Sequence, residues 1–311
     1  MFKVIKTLKN TVIRYPQFEF AYQEIKNSFY LKQSLDVVQH IFCLGAAGTG
    51  KSTLKQQIEK CYPRQMDCDT PDIPVLIVNI PAIPTVKNVA ETMLATLGDP
   101  VADKGSTASK TIRILHYLKV CKTQLIIFDE LQHFIDQGKK NTPYQVSDWL
   151  KTLVDQSNIP TVLMGLERSE QILQINEQLR RRFNRKIFLN PFSINDQKEY
   201  EIFAGIILKL QQLLNYSVNF DLQDVTNLKM IHYATNGIID YMVKIMLGAY
   251  QVALEAGKNA ITQDDFYHAF KRFIWNDVTD QLNPFHTAFS WQPLTKLNMP
   301  FHIAEGYRQN V

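Results

Sequence analysis

The chain has 311 residues, 45% of them hydrophobic and 21% charged, with a formal net charge of +4. That composition excludes an intrinsically disordered chain, and with no apolar run of about 18 residues it holds no candidate membrane-spanning helix. The mild positive balance is compatible with nucleic acid without arguing for it.

The opening residues, MFKVIKTLKN, lack the apolar segment of a secretory leader. Cys43, Cys61, Cys68 and Cys121 form no C-x-x-C pair and read as buried, reduced thiols rather than zinc ligands or disulfides. Both features predict a cytoplasmic protein. Residues 1–35 read as an N-terminal helical segment, with Phe18, Tyr22, Ile25, Phe29 and Leu31 at helical spacing.

The next stretch, IFCLGAAGTGKSTLKQQI, runs from an apolar strand (41–44) through a glycine-rich loop into a helix. Gly45, Gly50, Lys51 and Ser52 fill every fixed position of G-x-x-x-x-G-K-[ST]. Such a loop lets backbone N–H groups approach an anion, and the helix start adds unpaired donors. The pattern predicts an ATP site formed by Gly45, Gly48, Thr49, Gly50, Lys51, Ser52 and Thr53. Lys51 would reach the β/γ-phosphates, and the Ser52 hydroxyl would hold Mg²⁺. An ordinary glycine-rich turn competes poorly, because it needs neither Lys51 nor Ser52.

A turn region (61–74) leads to the strand VLIVNI (75–80), a helix over 85–97, a polar loop over 98–109 and a helix over 110–120. The third strand, LIIFDE (125–130), ends in two acids. Buried carboxylates need a cation or hydrogen-bond donors. Asp129 would therefore hold Mg²⁺ and Glu130 polarise an attacking water, although both could simply cap the next helix. His133, three residues on, reads as a hydrogen-bonding core or interface residue, since no second metal ligand stands at a useful spacing.

A helix over 144–156 precedes the fourth strand, TVLMG (161–165), and a helical segment ending QLRRRF precedes the fifth, RKIFLN (185–190). A basic cluster at a helix C-terminus can merely complement the dipole. Arg-Arg-Phe, with Phe183 as apolar anchor, can also present an arginine finger to a neighbouring subunit. Arg182 is the first candidate and Arg181 the second, and the inference carries a homo-oligomer with it. The alternation predicts an α/β domain over 36–192, a parallel sheet flanked by helices with ligand at the strands' carboxyl ends. Residues 193–275 read as a small helical lid domain, with Thr262 and Asp265 placed as a capping box. Residues 276–311 read as an extended tail whose Phe285, Phe289, Trp291 and Phe301 pack back or await a partner.

GAAGTGKST, LIIFDELQHF, VLMGLERSEQIL, QLRRRF and TNGIIDYMVKIMLGAYQVALEAGKNAITQDDF together resemble the TniB/TnsC family of AAA+ ATPases over roughly residues 35–270. That resemblance implies a P-loop NTPase with a helical lid, whose ATP-bound subunits form rings or filaments around duplex DNA. It further implies contacts with transposase subunits and, in the CRISPR-associated transposons that this short chain most resembles, with a target-selection complex. It directs attention to pore-facing loops: 102–110, with Lys104, Ser106 and Lys110 as DNA contacts, and the basic QGKKN at 137–141. Lysines and hydroxyls meet phosphates without reading bases.

The chain departs from the family where a polar sensor follows the fourth strand, since Gly165 is followed by Leu166. It departs again where a lid arginine is usual, since Gly237 is followed by Ile238, Ile239 and Asp240. Both departures imply slow hydrolysis. A replication-initiator or helicase-loader ATPase is the alternative, although residues 276–311 are too short and too proline-rich for the DNA-reading module such initiators append. A nucleotide-locked signalling switch is the other.

Overall fold

The structure is a computed structural model that describes residues 4, 6–8, 11–67, 70–136 and 142–302. By its contacts the chain divides into two compact units. One comprises Pro16–Ala47 and Lys51–Leu189; the other comprises the described part of Asn190–Glu305, the described residues up to Tyr15, and Gly48–Gly50.

The first unit runs α1 (Pro16–Leu35), β1 (Ile41–Gly45), α2 (Lys51–Cys61), β2 (Val75–Asn79), α3 (Val86–Leu97), α4 (Thr107–Val120) and β3 (Leu125–Asp129). It continues with α5 (His133–Asp136), α6 (Thr142–Ser157), β4 (Thr161–Gly165), α7 (Gln171–Ile175), α8 (Glu177–Arg182) and β5 (Arg185–Leu189). The strands form one sheet in the order β2-β3-β4-β1-β5, and every pairing is parallel. All of β1, β3 and β4 is buried, as a parallel sheet covered on both faces requires. Phe42, Phe128 and Leu163 of the sheet join Val89 and Met93 of α3 and Leu150 of α6 in one core. Each such side chain contributes about 1.5–3 kcal/mol on burial.

All five expected strands are present, each within a residue of its expected bounds. Two details differ. The turn region holds a short antiparallel ribbon, Gln65–Asp67 with Thr70–Asp72. Helix α4 begins three residues before the expected 110, because the Ser106 side chain accepts the Ser109 N–H at 3.2 Å and caps it. Cys43 and Cys121 are buried as expected, whereas Cys61 is exposed; Cys68 lies outside the described residues.

The second unit is mostly helical: α9 (Gln197–Leu214), α10 (Val225–Thr235), α11 (Ile239–Glu255) and α12 (Gln263–Ala269). Phe203, Ile206, Ile207 and Leu210 of α9 are buried with Met242, Ile245, Met246 and Ala249 of α11. Asp265 accepts from the Thr262 N–H at 2.8 Å, which closes the capping box, and separately from Lys258 Nζ at 2.6 Å. In the described part of the tail the aromatics pack back. Phe285 stacks on Phe266, Phe289 meets Tyr233 edge-on and Phe301 meets Tyr241, while Trp291 is 70% exposed. No single helix among the described residues is long and apolar enough to cross a membrane.

Candidate functional site

Strand β1 delivers the glycine-rich loop to the carboxyl edge of the sheet, and Lys51 opens α2. Lys51 Nζ donates to the carbonyls of Gly45 and Ala46, both at 2.7 Å. Burial holds its pKa below that of an ordinary lysine, against the pull of Cys43, Asp129, Glu130 and Glu167. Its cation is thus poorly solvated and poised for an anion. Gly48 and Gly50 have φ of 77° and 98°. A Cβ on Gly48 would lie 2.9 Å from Ile238 Cγ2, so any other residue there would be strained. The buried Thr49 offers its carbonyl to the Tyr15 hydroxyl at 2.6 Å. Ser52 is exposed, and Thr53 follows it in the first turn of α2.

The acids stand at the carboxyl end of β3, with β4 between them and β1. Asp129 is only 3% exposed, and each of its oxygens is held. Oδ1 accepts the Glu130 N–H at 2.8 Å, and Oδ2 accepts Lys55 Nζ at 2.5 Å. Lys55 also donates to Asn79 Oδ1 at 2.8 Å. The compensation a buried carboxylate requires is thus present, and Lys55, one turn after Lys51, supplies its charge. Glu130 has φ of 62°, a left-handed backbone costly for a residue with a side chain and typical of functional sites. Gln132 Nε2 donates to Glu130 Oε2. The His133 ring donates from Nδ1 to the Ile80 carbonyl at 2.9 Å, the hydrogen-bonding role expected of it.

The donor set fits Mg²⁺. Ser52 and Asp129 offer hard oxygens, and Mg²⁺ keeps several ligands from water and phosphate rather than from a protein cage. The described residues contain no cluster of three or more metal-ligating side chains.

The arginines lie at the opposite edge. Register pairs Ile41 with Arg185 and Gly45 with Leu189, so α8 ends beside the amino end of β1. A five-residue strand spans about 13 Å, so Arg182 stands well away from its own chain's loop. Its guanidinium is bidentate on Asp155, at 2.5 and 2.8 Å, and donates to the Gln178 carbonyl at 2.7 Å. Phe183 is fully buried, as an anchor should be. Arg181 is exposed and paired with Glu177 at 2.5 Å. Beside them His40 accepts the Thr161 N–H at 3.1 Å, and burial, with help from Arg182, lowers its pKa to about 4, so the ring is neutral.

Of the expected DNA contacts, Lys104 is exposed and paired with the exposed Asp103 at 3.2 Å. Ser106 is exposed but engaged as the cap of α4. Lys110 differs from expectation: it is fully buried. Early initiation of α4 turns it inward with Thr111, Ile114 and Leu118. Its Nζ donates to the carbonyls of Ala102 at 2.5 Å and Lys104 at 3.0 Å, with Glu91 at 3.3 Å. Lys110 fixes the loop that carries Lys104 and offers no charge to solvent. The QGKKN loop lies outside the described residues. In the second unit, Asp240 is paired with Lys244 at 2.6 Å. Arg168, after β4, is committed to Asp136 at 2.6 and 2.5 Å.

The sequence model of the family described as "Bacterial TniB protein" matches residues 3–193. Among curated proteins, the ORC1-type DNA replication protein 2 of Thermoplasma acidophilum is 21% identical over 260 residues. The match covers 80% of this chain and 60% of that protein, so the chain spans less than two thirds of that relative's length. Among solved structures, the ORC2 protein of Aeropyrum pernix in its ADPNP–ADP complexes is similar at a TM-score of 0.62 and 12% identity, over 88% of this chain and 72% of that one. The Cdc6p of Pyrobaculum aerophilum gives 0.60 at 15%, over 89% and 73%. The ORC1 protein of Aeropyrum pernix in complex with DNA gives 0.58 at 14%, over 85% and 67%. At these identities the likeness shows the fold, which is that of the AAA+ ATPases.

Proposed function

The chain belongs to the TniB family, and on that premise we propose that it is an ATP-hydrolysing, DNA-binding regulator of transposition. The observation that carries the ATPase reading is the juxtaposition of Lys51 and Ser52 after β1 with Asp129 and Glu130 after β3, on either side of β4 at one edge of the sheet. On binding, Lys51 exchanges its two loop carbonyls for β/γ-phosphate oxygens. Ser52 and Asp129 would hold Mg²⁺, which would supply positive charge against the phosphates. Glu130 accepts the proton of the attacking water as general base. Arg182, too far from its own chain's loop, serves the γ-phosphate of a neighbouring copy, which couples hydrolysis to a ring or filament. No polar side chain directly follows β4 and no arginine stands in the first turns of α11, so turnover is slow. Slow turnover suits a clamp on target DNA that hands the site to transposase subunits and answers to a target-selection complex; the family resemblance supports that role and its CRISPR-associated form.

DNA contact falls to the loop around Lys104, held out by Lys110. Binding is then sequence-independent and steeply salt-dependent, with each phosphate contact adding about −0.9 to the slope of log K against log salt. Lys104→Ala flattens that slope by about one unit per subunit engaged and weakens all duplexes alike. A salt titration on two unrelated duplexes, with and without a non-hydrolysable ATP analogue, measures this. An unchanged slope removes Lys104 from the interface.

The ORC1-type relative favours a second reading, a replication-initiator ATPase. Strong preference for one of the two duplexes would support it.

A further inference from the structure

The base candidate Glu130 is tied to the neighbouring strand by one side chain. Gln132 is 6% exposed, and both ends of its amide are used. Nε2 donates to Glu130 Oε2, and Oε1 accepts the Leu166 N–H, just past β4, at 3.2 Å. The space for this bridge comes from Gly165. A Cβ there would lie 3.2 Å from Gln132 Oε1 and 2.4 Å from the Ser169 hydroxyl, which is itself fully buried. The bare end of β4 is thus the feature that admits Gln132.

We propose that Gln132 is a positioning residue for hydrolysis, one that fixes the Glu130 carboxylate against the backbone after β4. Resting on the ATPase reading above, this assigns to a glutamine after β3 the polar link that the end of β4 lacks. A carboxylate on a left-handed backbone with no such tether can turn away from the water it must polarise. A base contributes only when its oxygen is held within hydrogen-bond reach of that water. A glutamine amide can form both halves of the bridge, because its N–H₂ donates to the carboxylate while its oxygen accepts from the main chain. It neither touches nucleotide nor takes up a proton.

Two variants separate positioning from packing. Gln132→Met keeps the length and loses both hydrogen bonds. Gln132→Glu keeps the acceptor for Leu166 but faces Glu130 with a like charge. Both are expected to lower kcat roughly ten- to hundredfold, the scale of a misplaced catalytic group. Binding of a fluorescent ATP analogue by both variants should stay near wild type. In a Glu130→Gln background neither substitution should lower the residual rate further, because the group they position is gone. Wild-type kcat in both variants, with Glu130→Gln inactive, overturns the role of Gln132 alone. So does a rate loss that persists in full in the Glu130→Gln background, or a rise in turnover, which would make the bridge a restraint. Wild-type hydrolysis by Glu130→Gln overturns the base assignment, and this proposal with it.

Discussion

Glu130→Gln is expected to bind ATP like wild type and to lose turnover by about two to four orders of magnitude, the usual contribution of a general base. The amide is nearly isosteric and still accepts a hydrogen bond from Gln132, so nothing in the loop around Lys51 is disturbed. What it cannot do is take a proton from water. The ATP-bound assembly should therefore persist on DNA instead of turning over. Lys51→Ala provides the contrast: it removes the ammonium at the loop and should abolish binding itself. Hydrolysis and analogue binding, measured on the same preparations, separate the two effects. Hydrolysis at the wild-type rate by Glu130→Gln would show that another group is the base.

Arg182→Ala should leave the isolated subunit folded and able to bind ATP, yet remove hydrolysis and ATP-dependent assembly. The stability cost is small because the Arg182–Asp155 pair is partly exposed, and pairs of that kind contribute about 0–1 kcal/mol. The functional cost is large because a finger acting across an interface accelerates phosphoryl transfer by roughly three to five orders of magnitude in the systems that use one. Mixing Arg182→Ala with Lys51→Ala tests the geometry. At one kind of mixed interface an intact nucleotide site meets an intact finger, so partial rescue is expected. No rescue at any ratio would count against a finger acting between subunits.

The strands and the phosphate loop were legible because their signals are local. A short apolar run such as LIIF, closed by two acids and set between helical patterns, reads as a strand buried on both faces. Lys110 shows where local reading fails. A lysine at the border of a polar loop reads as solvated, but the Ser106 cap moves the border, and three acceptors from residues 91–104 receive the ammonium. Gln132 was invisible for a related reason: its partners include a main-chain N–H 34 residues away, which no spacing rule marks. The tail was half legible. Its aromatics were evident, but the rings they meet, Phe266, Tyr233 and Tyr241, are separated from them by 19 to 60 residues.

The central claim is nucleotide-dependent assembly on DNA without regard to sequence. Electron microscopy of the wild-type protein with an arbitrary duplex, imaged with and without a non-hydrolysable ATP analogue, tests it most directly. Rings or filaments encircling the duplex are expected only when the analogue is present. Single subunits under both conditions, or equal assembly without nucleotide, would contradict it.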